Sequence, residues 1–229
     1  MNIQLLTHTP DPEQVVAAAA RLCYSDASIE SLLERDRTDQ ERLLRKILGL
    51  GHLSVLEHAS FSFGIEGISR ACSHQLVRHR LASYSQQSQR YVSHRERFAA
   101  VTPPSIAASS ALASRYSGLL EEIHQVYGEL LEAGIPAEDA RFVLPNAAET
   151  KLIMTMNARE LNHFFALRCC RRAQWEIRLM ATEMLRLARR AAPLLFAEAG
   201  PGCLRGACPE GAMSCGEMLA VRQEFSELT

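Results

Sequence analysis

A short basic segment, Arg78-His79-Arg80, is followed by Ser88 and Arg90 in a stretch dense in hydrogen-bond donors. Guanidinium groups form charge-assisted, often bidentate hydrogen bonds with phosphate oxygens. A loop with serine hydroxyls and unpaired backbone N–H groups adds further donors and can wrap a phosphate. These residue types at this spacing therefore predict an anion-binding site that takes a phosphate.

A simpler interpretation competes with this site. A helix is predicted over about 69–80, and its dipole alone would favour cations such as Arg78 and Arg80 in the last turn. Residues 81–94 show neither apolar period and are rich in hydroxyl and amide side chains, which predicts an exposed or site-lining loop. A solvated polar loop stays open as the alternative. We favour the anion site because Ser83, Ser85 and residues 86–90 supply donors directly after the basic segment.

Other reactive residue types have weaker patterns. His52, Glu57 and His58 do not have the spacing of a helical ligand pair or of a known hydrolytic motif, so no metal site is predicted there. The pair Cys169-Cys170 follows Arg168, whose charge would favour a reactive thiolate. We prefer two small buried residues on a core helix for this pair.

Composition predicts one globular unit over residues 1–229 in a reducing, cytoplasmic compartment. The chain is 47% hydrophobic, has a net charge of −1 and shows neither a membrane-spanning stretch nor a signal-peptide pattern. Near-neutral charge opposes general attraction to nucleic acid or to an acidic membrane surface. The Gly, Pro and Cys rich tail, residues 200–229, is expected to carry Cys203, Cys208 and Cys215 as free thiols and not as a metal site.

Periodicity predicts a helix-rich α+β fold. Asp11-Pro12 is typical of a helix start with aspartate as N-cap, and Thr38 with Glu41 forms a capping-box pattern for the next helix. Apolar and polar residues alternate over 59–66, which predicts a half-buried strand. A second strand is expected over 151–156, and further helices over 104–134, after Pro136, and from 158 to about 196 as one or two helices.

The segment RHRLASYSQQSQRY, residues 78–91, resembles the R-H-R-x7-S signature of the flavin-dependent thymidylate synthases. Four further segments resemble blocks of the same family in the same order, and the resemblance covers roughly residues 1–197. These segments are GHLSVLEH (51–58), ARFVLP (140–145), NAR (157–159) and LRCCRRAQWEIR (167–178).

The resemblance implies a methyltransferase that converts dUMP to dTMP without a covalent enzyme nucleophile. It implies 5,10-methylenetetrahydrofolate as carbon donor, NADPH as reductant and FAD as cofactor. It also implies a single domain with a twisted sheet surrounded by helices, and a homotetramer whose active sites combine residues from several subunits. No G-x-G-x-x-G motif is present, so the nicotinamide would have to bind near the flavin.

The resemblance also assigns site residues one by one. Arg168 is implied as the catalytic residue, because a guanidinium can stabilise negative charge on the N3–O4 edge of uracil. The implied substrate-binding residues are Gln75, Leu76, Val77, Arg78, Gln86, Gln87, Ser88, Gln89, Arg90, Arg141 and Arg168. The implied FAD-binding residues are Ser54, Arg78, His79, Arg80, Gln86, Asn157, Ala158, Arg159 and His163, with Glu57 as a weaker candidate.

Three positions depart from the family pattern and put individual flavin contacts in question. Ser85 and Gln86 stand where some members have Asn and Glu, and His163 stands where others have Asn. Two other classes of function compete with the flavin enzyme. They are a nucleotide or nucleic-acid binding module that uses residues 78–90, which the near-neutral charge opposes, and a metal hydrolase built on residues 52–58.

Overall fold

The computed structural model describes residues 1–93 and 98–228, and the strands in this part form one antiparallel sheet in the order β1-β2-β4-β3. His94, the end of the predicted loop, lies outside the described residues, as does residue 229. The strands are β1 (Asn2–His8), β2 (Ser60–Ser69), β3 (Ala82–Gln86) and β4 (Glu149–Asn157). The helices are α1 (Pro12–Leu22), α2 (Ile29–Leu33), α3 (Arg37–Gly49), α4 (Arg70–Leu76), α5 (Pro104–Ala107), α6 (Ser110–Glu132), α7 (Ala137–Ala140), α8 (Ala158–Arg168), α9 (Trp175–Ala191) and α10 (Met218–Ser226).

Strand β2 confirms the alternation seen in the sequence. Phe61, Phe63 and Ile65 are fully buried on one face. On the other face, the Ser62 hydroxyl lies 2.8 Å from the hydroxyl of Thr155 on β4, as expected for a cross-strand pair of polar side chains. The two inner strands therefore carry a buried apolar face and an opposite face on which polar side chains pair. The helix-rich α+β class is confirmed.

Two helix starts differ from the sequence prediction. Asp11 does precede α1, but it has a left-handed backbone (φ 43°) and its side chain makes no cap, so Pro12 in the first turn is the confirmed start signal. The capping box of Thr38 and Glu41 is wrong. Asp36 caps α3 instead, because its carboxylate accepts a hydrogen bond from the backbone N–H of Thr38 at 3.0 Å.

The predicted helix over 69–80 is too long, and the predicted irregular loop is partly a strand. Helix α4 ends at Leu76, where the Tyr84 hydroxyl donates to the Leu76 carbonyl at 2.9 Å and satisfies a carbonyl of the last turn. Residues Ala82–Gln86 form β3, an edge strand whose exposed serines alternate with half-buried side chains. The strand lacks an apolar period because neither face carries large apolar residues other than Tyr84.

The described chain divides into two compact units. The first comprises residues 1–2, 65–78, 84–93 and 98–153, and α6 contributes the fully buried Tyr127 to its core. The second comprises residues 3–64, 79–83 and 154–228. Its core contains Phe61, Phe165 and Phe196, whose rings pack edge to face at 5.2 and 5.9 Å. Within the described residues, no helix combines the length and apolar content needed to cross a bilayer.

Candidate active site

In the first unit, two arginines contact Glu138 on α7, and a third is close to one of them. The Arg90 Nε donates to the Glu138 carboxylate at 2.9 Å, and the Arg141 Nε donates to the Glu138 backbone carbonyl at 3.0 Å. Burial and, next, the nearby charge of Arg141 lower the pKa of Arg70. Arg90 and Arg141 thus meet at Glu138, and Arg70 lies near enough to Arg141 to feel its charge; we call these three residues the arginine cluster. Positive charge of this kind attracts an anion.

Hydrogen bonds within the protein hold the chain between β3 and Arg90, so the N–H groups of Gln87 and Arg90 are not the unpaired donors that the sequence predicted. Gln87 extends the pairing of β3, since its N–H donates to the carbonyl of Lys151 at 2.9 Å. The Ser88 hydroxyl accepts from the Arg90 N–H at 3.2 Å, and the Val92 N–H donates to the Ser88 carbonyl at 3.0 Å. Ser88 and Arg90 therefore belong to one tight turn beside Glu138.

Two glutamines have more structural partners than the sequence suggested. The amide nitrogen of Gln86 donates to the hydroxyls of Ser73 and Thr150, both at 3.0 Å. The amide oxygen of Gln86 is then the group that can face a ligand, and this oxygen can only accept a hydrogen bond. Gln75 on α4 donates to the Ala71 carbonyl at 3.4 Å. Leu76 is fully buried, so any contact that it makes with a substrate comes from its backbone.

The basic segment follows α4 instead of lying on it. Arg78 and Arg80 are exposed, whereas His79 between them is only 5% exposed. The helix dipole therefore does not explain the two arginines as a pair in one last turn. The exposed Arg78 and Arg80 are therefore accessible to a ligand, whereas the imidazole of His79 faces the protein interior.

In the second unit, the imidazole of His79 lies against one stripe of α8. Glu160, Phe164 and Arg168 are four residues apart and so share a helix face. His79 Nδ1 lies 3.5 Å from a Glu160 carboxylate oxygen, and its ring packs edge to face on Phe164 at 4.9 Å. Arg168 Nε donates to His79 Nε2 at 3.0 Å. One ring thus bridges two turns of α8.

His79 is neutral in this arrangement. Burial, then the charges of Arg168 and His163, lower the pKa of His79 from its ordinary 6.5 to about 4. The distance to Glu160 alone would suggest an ion pair, but Arg168 Nε–H needs a lone pair on His79 Nε2, so that nitrogen carries no proton. Burial raises the pKa of Glu160, against a smaller lowering by His163.

The same residues have the types of a metal site. One ligand atom from each of His79, Glu160 and His163 lies within 4.8 Å of the others. The Arg168 guanidinium bonded to His79 Nε2 adds a positive charge beside that nitrogen and opposes a cation there. Outside this group, His52 and His58 are exposed, and Glu57 forms an ion pair with Arg159.

The start of α8 places the remaining flavin candidates. Asn157 caps the helix by accepting from the Glu160 N–H at 2.9 Å, and the Ala158 N–H donates to the Ala59 carbonyl at 2.8 Å. The 3-10 helix Ser54–His58, with Ser54 exposed, packs against α8. The pair Arg159 and Glu57 joins these two elements, so two segments that are distant in sequence meet on one side of α8.

The environment of Cys169 does not favour a nucleophilic thiol. Cys169 is buried, and burial raises its pKa to about 12, which disfavours the thiolate that a nucleophile requires. This agrees with the preferred interpretation of Cys169 as a core residue, while Cys170 is half-buried. All seven cysteines lie in the described residues, and none forms a disulfide. In the tail, burial raises the pKa of Cys203.

The sequence-predicted residues thus fall into two groups, one in each unit. The first unit holds Gln75 to Arg78, Gln86 to Arg90 and Arg141, of which the structure joins Arg90 and Arg141 through Glu138. The second unit holds His79, Arg80 and the residues of the Ser54–His58 and α8 segments. In this group the ring of His79 packs edge to face on that of His163 and accepts a hydrogen bond from Arg168. Arg70 and Glu160 were missed, because no motif marks either residue.

Comparisons with known proteins agree with the resemblance read from the motifs. The family described as "Thymidylate synthase complementing protein" matches residues 4–194, which include every candidate site residue. The flavin-dependent thymidylate synthase of Geobacter sulfurreducens is 59% identical over the full length of both chains. Those of Clostridium tetani and Pyrococcus furiosus are 45% and 46% identical, covering 98% and 92% of this chain and 97% and 90% of their own. The chain belongs to the flavin-dependent thymidylate synthase family.

Proposed function

We propose that this chain is an FAD-dependent thymidylate synthase that methylates dUMP to dTMP, with 5,10-methylenetetrahydrofolate as carbon donor and NADPH as reductant. The observation that carries the proposal is the arginine cluster at Glu138, in a member of this family. A nucleoside monophosphate supplies the compact dianion that such a cluster suits. Both the charge of these arginines and the family membership of the chain therefore support dUMP as the substrate.

The dUMP site is proposed to be built from the basic segment, the turn after β3 and Arg141. Arg90, Arg141 and the Ser88 hydroxyl would hold the phosphate, and the exposed Arg78 would add charge. Gln75 would offer the donor and acceptor pair that a uracil edge requires. The full set is Gln75, Leu76, Val77, Arg78, Gln86, Gln87, Ser88, Gln89, Arg90 and Arg141, with Arg70 added from its position beside Arg141.

The residues proposed to hold FAD have the chemistry that a pyrophosphate and a flavin require. Arg78, Arg80 and Arg159 are exposed cations, and the exposed Ser54 and His163 add polar groups. Hydrogen bonds within the protein already use the Asn157 side-chain oxygen, the Ala158 N–H and the Gln86 amide nitrogen. These three residues would therefore contact FAD mainly through their other polar groups. When bound, FAD supplies the redox chemistry that accepts hydride equivalents from NADPH. His79 is expected near it by resemblance, but both its ring nitrogens face protein groups.

Arg168 is proposed to activate the substrate. Methylation at C5 of uracil requires electron density there, and a guanidinium on the N3–O4 edge raises it without a covalent nucleophile. Ser88 accepts a backbone N–H and has no adjacent general base in its turn, so it is proposed to bind and not to attack. The raised pKa of Cys169 argues in the same direction.

The active enzyme is proposed to be a cytoplasmic homotetramer with shared active sites. On α6, apolar residues recur at alternating spacings of four and three, which is the pattern of a helix seam that packs on another helix. Leu112, Leu119 and Val126 on this seam are 57%, 52% and 40% exposed. A second copy that covers this seam would bury them. Leu119→Glu should therefore reduce the mass measured by sedimentation, whereas the control Ser114→Glu, on the opposite face of α6, should not.

The visible spectrum and metal content of the purified protein test the proposal. Flavin absorbance, with FAD identified after release by heat, is the expected result. Stoichiometric zinc without flavin would favour a metal hydrolase, and neither group together with binding to nucleic acid would favour a nucleotide-binding module. Either outcome would contradict the assignment.

A further inference from the structure

The contact between His79 and Arg168 joins a buried imidazole to a half-buried guanidinium. A guanidinium with restricted access to water generally pairs with a carboxylate, which compensates its charge. One partner of Arg168, at 3.0 Å, is an imidazole, and the Glu160 carboxylate lies on the far side of that ring. This contact orients Arg168 through a neutral group, and the contact itself places no negative charge on the guanidinium.

The hydrogen-bond pattern determines which nitrogen of His79 carries the proton. Arg168 Nε–H can only donate, so His79 Nε2 must accept, and the ring proton resides on Nδ1, facing the Glu160 oxygen at 3.5 Å. Glu160 is 9% exposed and His79 5%, so water competes weakly with these contacts. Phe164 packs on the ring between the two polar groups and restricts its rotation.

We propose that His79, held by Glu160 in its Nδ1–H form, is a positioning residue that orients the Arg168 guanidinium for the substrate. The proposal rests on the proposed function, in which Arg168 contacts uracil. Because a guanidinium is planar, bonding its Nε–H to His79 restrains the plane in which the two terminal nitrogens lie. Those nitrogens form the edge that can donate two parallel hydrogen bonds. The energetic benefit is a lower entropic cost of ordering a long side chain when the substrate binds.

Two substitutions of His79 separate the acceptor role from simple packing. His79→Leu fills similar space and offers no acceptor, whereas His79→Gln retains an acceptor oxygen at about the reach of Nε2. Glu183→Gln serves as the control, because Glu183 pairs with Arg186 on the partly exposed surface of α9. All variants are assayed as the FAD-loaded protein, with dUMP and methylenetetrahydrofolate saturating.

His79→Leu should lower dTMP formation about 10- to 100-fold, the range expected from loss of one hydrogen bond to a charged group. The fall in dTMP formation should exceed any change in NADPH-driven flavin reduction by at least about 10-fold, because the lost bond orients Arg168 for the substrate. His79→Gln should recover most of the lost turnover, and Glu183→Gln should match the parent protein. If His79→Gln is as impaired as His79→Leu, or if both variants match the parent, the positioning role is wrong.

A spectroscopic readout separates this inference from the proposed function. NMR of the protein labelled with 15N-histidine should show His79 as the neutral Nδ1–H tautomer at pH 7, whether or not the protein makes dTMP. Arg168→Leu should raise the pKa of His79, because the Arg168 charge is one cause of its lowering, with His163 and Glu160 still present. A proton on Nε2 at pH 7, or an unchanged pKa in Arg168→Leu, would overturn the inference even in an active enzyme.

Discussion

Substitution of Arg168 by lysine separates activation of dUMP from the chemistry of the flavin. Lysine keeps the positive charge. Arginine can donate its Nε–H to His79 and two further N–H groups to the substrate at the same time, whereas the single ammonium of lysine cannot do both. Arg168 uses its Nε for the 3.0 Å bond to His79. Lysine must therefore give up either this bond or the parallel pair of donors.

The size of the effect follows from the bonds lost. One hydrogen bond to a charged group is worth about 1.5–3 kcal/mol, which is about 10- to 100-fold in rate when the bond matters in the transition state. We expect dTMP formation to fall by at least this factor. FAD content and anaerobic reduction of the flavin by NADPH should stay close to those of the parent protein.

The assay is a comparison of two rates in one preparation. Stopped-flow absorbance follows flavin reduction, and chromatography follows dTMP. Arg186→Lys is the matched control, because Arg186 pairs with Glu183 on α9. Near-normal methylation by Arg168→Lys, or an equal loss of flavin reduction and methylation, would refute the role assigned to Arg168.

Four further predictions concern single groups. Arg80→Ala should weaken FAD binding on the order of 10-fold in equilibrium dialysis, and an unchanged Kd would count against Arg80 as a cofactor ligand. Ser88→Ala should raise KM for dUMP more than it lowers kcat, whereas loss of turnover at saturating dUMP would restore the nucleophile interpretation. Because the pKa of His79 is about 4 in the folded protein and 6.5 ordinarily, its contribution to the free energy of unfolding should fall by about 3 kcal/mol as pH drops from 6.5 to 4. His79→Gln keeps Glu160, His163 and Arg168 in place, so its free energy of unfolding, measured with urea, should lack this pH-dependent fall. Parallel pH profiles for parent and variant would contradict the prediction. Thiol titration should label the exposed Cys23 faster than the buried Cys203, whose pKa is raised by burial, and equal rates would argue against the packing of the tail.

The parts of the fold that sequence predicted well are those with a strong apolar period. Strand β2 and the long helix α6 repeat apolar residues at spacings that only one kind of secondary structure satisfies. Strand β3 was missed because its partly covered residues are mostly small or polar. The early end of α4 was missed because it depends on a hydrogen bond from Tyr84, which is a tertiary contact.

The sequence indicated individual site residues, but it did not predict which of them contact one another. The motif resemblance indicated Arg90, Arg141 and Arg168 individually, but it could not show that Glu138 joins the first two. Nor could it show that His79 packs on α8, because that contact links segments far apart in the chain. The roles of the site residues and the single domain over 1–229 stay predictions.

Transfer of a labelled carbon tests the central claim most directly. The purified protein is incubated with dUMP, NADPH, FAD and 5,10-methylenetetrahydrofolate labelled with 13C at the methylene carbon, and the product is analysed by mass spectrometry. The account predicts dTMP that carries the label in its methyl group, with no product when dUMP, NADPH or FAD is omitted. Formation of unlabelled dTMP, or full activity of a preparation stripped of FAD, would contradict it.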